Sequence, residues 1–123
     1  MAIQRQGTRK GVSFAKRDDG FKRTFVKRGD GAAKAEQGDT VTVSYRGVLE
    51  SDGTQFDAAK SFTFTLSAGE VIKGWDRGIM GLVVGDKVQL VVPPALAYGK
   101  RGSPPEIPPS ATLLFDVTLR KIK

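Results

Sequence analysis

Residues 113–120 read Leu-Leu-Phe-Asp-Val-Thr-Leu-Arg, and their alternation decides the fold class. Every second residue, beginning with Leu113 and Phe115, is large and apolar, and most of the residues between them are polar. Successive side chains of a β-strand point to opposite faces of its sheet, so a period of two places the apolar residues on one face. The stretch therefore predicts a strand in an antiparallel sheet that is covered on one side and wet on the other.

Four more segments alternate in the same way and complete a sheet of about five strands. They are residues 21–26, 40–46, 62–66 and 87–92. Turn dipeptides of the Asp-Gly type separate or precede several of them, at Asp19-Gly20, Asp30-Gly31 and Asp52-Gly53. Glycine tolerates positive φ and aspartate bonds to its own backbone, so these dipeptides favour tight turns.

Only one segment has a helical period, and it must cover the apolar face of the sheet. Trp75, Ile79 and Leu82 fall at i, i+4 and i+7, which predicts one apolar stripe. Glycines at 74, 78 and 81 limit this helix to about two turns. The predicted fold class is α+β, with about five antiparallel strands curled around one short α-helix.

Length and charge indicate one folded domain with a basic N-terminal extension. The chain has 123 residues and a net charge of +7. All of that excess lies within residues 1–28, because positive and negative residues balance from 29 to 123. Residues 1–19 have no hydrophobic period, which predicts a flexible extension, and residues 20–123 are expected to form the domain.

The absence of two residue types excludes several classes of chemistry. The chain contains no cysteine and no histidine. Disulfides, thiol nucleophiles, Ser-His catalysis and the commonest transition-metal ligand are therefore excluded. No apolar run is long enough to cross a bilayer, and the N-terminus does not read as a signal peptide. A cytoplasmic monomer without membrane contact is expected, and a nuclear or organellar location also stays open.

Aromatic residues concentrate where a binding cavity could form. Tyr45, Phe62 and Phe115 stand on strand positions that are otherwise aliphatic. Phe56 follows a turn, where an exposed ring would be unfavourable unless it lined a cavity. Tyr98 opens a loop rich in Gly and Pro that runs to residue 109. A stiff loop that carries a tyrosine beside an aromatic sheet is typical of a ligand rim.

At these residues the sequence resembles the FKBP-type peptidyl-prolyl cis-trans isomerases, immunophilins that bind the macrolides tacrolimus and rapamycin. The matching motifs are Val43-Ser44-Tyr45-Arg46-Gly47, Gly53-Thr54-Gln55-Phe56-Asp57, Phe62-Thr63-Phe64, Glu70-Val71-Ile72-Lys73-Gly74-Trp75, Ala97-Tyr98-Gly99 and residues 107–117. They follow the family's order and spacing from about Gly20 to Lys123. Each motif is weak by itself, but six in register are highly specific.

The resemblance implies a role for each of these residues. Trp75 would form the floor beneath a bound proline ring, and the catalytic group would be Asp57, Tyr98, Tyr45 and Phe115. The residues implied to bind substrate or macrolide are Tyr45, Phe56, Asp57, Phe62, Glu70, Val71, Ile72, Trp75, Tyr98, Ile107 and Phe115. The Tyr98 hydroxyl and the Ile72 N–H would donate to ligand carbonyls, whereas Phe64 is assigned to the core. No metal or cofactor is implied, and the partners would be prolyl peptides and unfolded proteins.

Two departures from the family pattern affect the rim of this site. The stretch Ala58-Ala59-Lys60-Ser61 is shorter than the bulged segment of familiar members. Ser103 and Glu106 stand where those members often have histidine and an aliphatic residue. Macrolide affinity is the property that these differences would alter.

Two other functions remain open from the residues alone. The basic N-terminus, from Arg5 to Arg28, could contact the phosphates of a nucleic acid. Aromatic residues are sparse there, and the rest of the chain is neutral. The domain could also be a binding-only scaffold that has kept the fold and lost turnover. The complete set of aromatic cavity residues favours isomerase activity over both.

Overall fold

The computed structural model describes residues 20–123, and the predicted basic extension, residues 1–19, lies outside them. The elements, in chain order, are β1 (Lys22–Lys27), β2 (Thr40–Leu49), β3 (Gln55–Thr65), α1 (Lys73–Ile79), β4 (Lys87–Val92) and β5 (Leu113–Ile122). A single 3₁₀ turn, Pro94–Leu96, follows β4.

All five strands form one antiparallel sheet in the order β1-β4-β5-β2-β3. The predicted α+β fold is confirmed. The apolar positions of β4 and β5 are buried, as at Val88, Leu90 and Val117, each with no exposed surface. No helix among the described residues is both long and apolar enough to cross a bilayer.

Helix α1 lies against β4, and two glycines make the close approach possible. A Cβ atom at Gly74 would lie 2.4 Å from Val92 Cγ1, and one at Gly78 would lie 2.7 Å from Leu90 Cδ1. Larger residues at either position would push the helix off the sheet. These glycines therefore set the depth at which the helix places Trp75.

The predicted helical stripe is wrong at its third member. The helix ends at Ile79, and Met80 is its C-cap, so Leu82 lies beyond the helix. Leu82 is nevertheless fully buried, in a segment whose backbone bonds to Ala35. All three residues at the i, i+4 and i+7 positions are buried, but Trp75 and Ile79 belong to the helix and Leu82 belongs to the segment that follows it.

Strand β1 does not have the covered face that its alternation predicts. All six residues are exposed, including Phe25 at 36% and Val26 at 54%. β1 is an edge strand with only β4 beside it. The ring of Phe25 is therefore covered by arginine side chains and not by the hydrophobic core. Arg23 lies 5.2 Å and Arg28 4.1 Å from the centre of the Phe25 ring.

Arg23 also joins β1 to the end of helix α1. Its Nη1 donates hydrogen bonds of 3.0 Å to the carbonyl oxygens of Gly78 and Met80. The last carbonyls of a helix lack intrahelical donors, and a cation there also interacts favourably with the helix dipole. Arg23 thereby stabilises both the end of α1 and the position of the edge strand.

A buried carboxylate, Asp86, holds together two turns that are distant in sequence. It is 1% exposed and accepts hydrogen bonds from the N–H groups of Gly29, at 2.7 Å, and Val83, at 2.9 Å. Arg28 Nε lies 3.5 Å from the same carboxylate. Burial raises the pKa of Asp86, but the two N–H donors and Arg28 outweigh burial and leave this pKa below its ordinary value.

Candidate active site

The floor of the candidate site is Trp75, which α1 places against the aromatic side chains of the sheet. Its ring centre lies 4.7 Å from that of Tyr45 and 5.4 Å from that of Phe115, both in edge-to-face geometry. Phe62 and Phe64 lie 5.9 Å and 5.8 Å away. Edge-to-face aromatic pairs are favourable beyond the area that they bury. The indole is therefore held rigidly by rings from three strands, with 4% of its surface exposed.

A glycine in β2 allows two of the wall rings to meet. A Cβ at Gly47 would lie 2.7 Å from atoms of both the Phe56 and Phe115 rings. Phe56 enters at a bulge of β3, where the register shifts between the pairs Gly47–Asp57 and Val48–Gln55. The bulge turns the ring towards Phe115, with the two ring centres 5.6 Å apart at 86°.

These rings surround a cavity of about 180 Å³. Its lining residues are Tyr45, Phe56, Asp57, Phe62, Glu70, Val71, Ile72, Trp75, Tyr98 and Phe115. The structure thus brings together ten of the eleven residues that the sequence assigned to the site. Phe62 and Tyr98 are more than one-third exposed and stand at the mouth. Phe64 is 3% exposed and does not line the cavity, as expected of a core residue.

Ile107 is the predicted residue that does not line the cavity. It is 5% exposed, within the loop that follows Tyr98, and its N–H and C=O both bond to Ser103. This pairing closes the tip of the loop, in which Ser103 and Glu106 are exposed. Ile107 therefore packs beneath the loop, and its predicted contact with ligand stays a prediction.

The other departure from the family pattern, the short stretch at residues 58–61, lies inside a strand. Residues 58–61 belong to β3, and the register with β2 shifts between the pairs Val43–Phe62 and Tyr45–Ala59. The short segment thus retains one extra residue as a bulge. Phe62 reaches the mouth of the cavity directly after it.

The polar groups of the cavity surround Asp57. The Tyr45 hydroxyl donates a 2.7 Å hydrogen bond to Asp57 Oδ2, and the Ala58 N–H donates to Oδ1 at 2.8 Å. Burial, the hydrogen bond to Asp57 and the nearby negative charge raise the pKa of Tyr45. Burial and the Asp57 charge also raise the pKa of Tyr98. Both hydroxyls therefore stay protonated and can donate throughout the neutral range.

Besides the buried Nε1–H of Trp75, two donors of the site have no acceptor within the described residues. The Ile72 N–H precedes the first turn of α1, where N–H groups lack intrahelical partners. The Tyr98 hydroxyl makes no hydrogen bond with residues 20–123 either, and it lies at the mouth of the cavity. Buried or half-buried donors without acceptors are unfavourable, so both could bind carbonyl groups of a ligand.

The charges of the cavity are negative. Asp57 and Glu70 line it, whereas no lysine or arginine does. Glu70 Oε1 accepts a 3.0 Å hydrogen bond from the Thr65 N–H, which fixes its carboxylate beside the rim. Within residues 20–123 no group of three His, Cys, Asp or Glu side chains could hold a metal ion. The site can bind an apolar ring and donate to carbonyls, and the carboxylate of Asp57 lies beside them.

Comparison with known proteins gives a consistent result. A family model described as FKBP-type peptidyl-prolyl cis-trans isomerase matches residues 31–120. The peptidyl-prolyl cis-trans isomerase Fkbp12 of Drosophila melanogaster is 48% identical over 102 residues, covering 80% of this chain and 94% of that protein. FK506-binding protein 1A of Emericella nidulans is 46% identical over 101 residues, or 79% of this chain and 93% of that protein.

A third relative is longer than the region that it shares with this chain. Peptidyl-prolyl cis-trans isomerase FKBP2 of Mus musculus is 49% identical over 94 residues, covering 73% of this chain and 66% of that protein. The comparisons do not support a nucleic-acid-binding or binding-only module as the function of the chain. Because the family model matches well over half of its residues, this chain belongs to the FKBP-type peptidyl-prolyl cis-trans isomerase family.

Proposed function

We propose that this chain accelerates cis-trans exchange about X-Pro bonds in the cavity above Trp75. The observation that carries the proposal is an indole floor, surrounded by aromatic rings and flanked by two donors without acceptors. A proline ring is apolar and compact enough to stack there. The names of the relatives and the matching family model support the same activity.

Rotation about an amide requires no chemistry that this chain lacks. The barrier of about 18–20 kcal/mol comes from resonance between the nitrogen and the carbonyl. Resonance places partial negative charge on the oxygen, and twisting the bond reduces that charge separation. An aromatic cavity that excludes water therefore disfavours the planar ground state more than the twisted transition state.

We assign the polar residues to fixing the twisted geometry. The Ile72 N–H and the Tyr98 hydroxyl would donate to carbonyls on either side of the rotating bond, which orders the substrate. Asp57, held by the Tyr45 hydroxyl, would stand beside the rotating amide, and Phe115 would close the wall opposite. None of these groups transfers a proton in this mechanism.

The same cavity is proposed to bind macrolides of the tacrolimus and rapamycin type. Relatives in Emericella nidulans and Candida glabrata carry the name FK506-binding protein. The cavity floor and its donors are all present, whereas the rim differs at residues 58–61, Ser103 and Glu106. We therefore expect macrolide binding whose affinity depends on the altered rim.

The natural substrates are proposed to be prolyl segments of peptides and unfolded proteins. Residues 20–123 contain every residue assigned to the site, so we propose that they are the catalytic domain. A cytoplasmic location, a monomeric state and nucleic-acid contact through residues 1–19 stay predictions from the sequence.

Turnover of a short X-Pro peptide tests the proposal directly. We expect exchange faster than the uncatalysed time of roughly tens to hundreds of seconds, unchanged by a metal chelator. The rate should also be nearly flat between pH 6 and 9, because both tyrosine pKa values are raised above 10. A folded protein that leaves the exchange at its background rate would refute the activity.

Tyr98→Phe tests whether the tyrosine acts as a hydrogen-bond donor. The substitution keeps the ring and removes one hydrogen bond, typically about 0.5–1.5 kcal/mol. Turnover and macrolide affinity should both fall roughly two- to twelve-fold. They can be measured by a protease-coupled assay and by calorimetry. Complete loss of activity would instead indicate acid-base chemistry at Tyr98.

A further inference from the structure

A second binding surface lies on the side of the sheet that faces away from helix α1. We infer that Lys27, Lys87, Arg120 and Lys121, here called the basic face, bind the phosphate backbone of a nucleic-acid duplex. This surface is separate from the cavity, and its function would be additional to isomerisation.

The strand register places the first two cations on one face. Lys27 pairs with Lys87, and Lys87 pairs with Thr118. Residues directly opposite in an antiparallel sheet share a face. Lys87 and Thr118 each adjoin fully buried neighbours, Val88 and Val117, so they point to the opposite, solvent side.

A bulge in β1 creates the pairing of two lysines. The register runs regularly to Phe25–Val88 and then shifts, so that Lys27 lies opposite Lys87. A regular ladder would have placed Val26 there instead. Like charges directly opposite one another are destabilising, and bulges often re-aim a side chain for a purpose.

A second bulge adds two cations to the same end of the face. In β5 the register shifts between the pairs Val43–Leu119 and Thr42–Lys121, which leaves Arg120 as the extra residue. The Arg120 Nε donates a 3.1 Å hydrogen bond to Ser44 Oγ. Ser44 pairs with Thr118, which places Arg120 on the solvent side. Lys121 pairs with Thr42, whose neighbours Val41 and Val43 are buried, so Lys121 points to the same side.

The basic face has no acidic partner in the part of the chain that the structure describes. The ion pair found among the described residues is Arg28–Asp86, and it lies on a different surface from the basic face. On the solvent side of the sheet, the described strands contribute one carboxylate, that of Asp116. Asp116 lies opposite Arg46 in the strand register and not opposite a residue of the basic face. Lys27, Lys87 and Lys121 therefore carry uncompensated charge, and all three are exposed.

The neighbours of these cations indicate phosphate as their ligand. Hydroxyl groups lie between and beside them, at Ser44 and Thr118, and Thr42 bonds to Thr63 at 2.8 Å. Lysine, arginine, serine and threonine are among the side chains that contact phosphates in nucleic-acid complexes.

The shape of the surface favours a duplex over other polyanions. The basic face spans β1 to β5, two strand intervals or roughly 9.5 Å, which faces about three phosphates of one duplex strand. None of the residues that pair with the basic face in the strand register is aromatic, so single-stranded bases have no ring on which to stack. A membrane anchor would likewise need large apolar side chains among the cations.

Fluorescence anisotropy with a labelled 24-base-pair DNA duplex tests the inference, using the full chain across a salt series. The decisive variant is Lys27→Gln with Lys87→Gln. Binding should weaken at least roughly tenfold at 0.1 M salt, and the slope of log affinity against log salt should become shallower by about 1.8. X-Pro turnover should not change, because neither lysine lines the cavity.

A matched control removes the same number of charges elsewhere. Lys34→Gln with Lys100→Gln gives the same net charge from two exposed lysines outside the basic face. We expect this control to keep the parental salt slope. Equal losses in both variants, or no loss in the first, would overturn the inference. Binding to anionic phosphatidylserine vesicles with no binding to the duplex would also overturn it.

Discussion

Asp86→Ala is expected to lower the free energy of unfolding by roughly 2–4 kcal/mol, because it leaves two partly buried N–H groups without an acceptor. Those groups belong to Gly29 and Val83, and they join segments far apart in the chain. A Cβ at Gly29 would lie 2.2 Å from the Val84 carbonyl oxygen, so the two turns are already in close contact.

Urea unfolding measures this loss, and Asp30→Ala is its matched control. Asp30 is exposed and adjoins the same turn, so its removal should change stability by less than about 0.5 kcal/mol. Equal effects of the two substitutions would show that the Asp86 carboxylate does not stabilise the contact between these segments.

The same carboxylate should make the protein sensitive to acid. Its folded pKa lies below the ordinary value of 3.8, so its stabilisation is fully present above about pH 4. That stabilisation is lost as the pH falls through the folded pKa, because the unfolded chain then binds the proton more readily. Asp86→Asn should lack this component, and its unfolding free energy should decline less steeply between pH 5 and 2.

Trp75→Leu is expected to lower X-Pro turnover roughly five- to thirty-fold. The substitution removes the flat floor and its edge-to-face contacts with Tyr45 and Phe115, which together contribute about 1–2 kcal/mol to binding of the twisted prolyl group. Leucine keeps the site apolar, so the fold should survive. Trp75→Ala would instead leave a cavity and cost about 3–5 kcal/mol of stability.

Phe64→Leu is the control for this experiment. Phe64 packs 5.8 Å from Trp75 but does not line the cavity, so its loss should destabilise the core and leave turnover within about twofold. Circular dichroism would establish that both variants are folded. A folded Trp75→Leu protein with the parental rate would exclude the indole as the floor of the catalytic site.

Local patterns in the sequence were sufficient for the sheet and for most of the cavity. The alternation at residues 113–120 predicted β5, and β5 is the strand that contributes Phe115. The period of a strand is a property of neighbouring residues, so it can be read without knowing the partner strand. The six family motifs then brought ten lining residues together, because residues in family register occupy the same positions on the same elements.

Tertiary structure decided how the segments meet. Leu82 lies beyond the end of the helix, and β1 is an exposed edge strand. Ile107 packs beneath its loop and does not line the cavity. Each outcome depends on which element covers which, and that is settled by contacts between residues far apart in sequence. Spacing within one segment carries no information about them.

The bulges and the buried carboxylate show the same limit most clearly. A regular strand would place Val26 and Lys27 on opposite faces, but the register shift against β4 placed Lys27 opposite Lys87. Asp86 directly precedes β4, and its burial depends on a donor 57 positions away, at Gly29. Composition and period determined the fold and the aromatic set, whereas register and polar burial were decided by the folded chain, because their free energies arise only when distant segments pack.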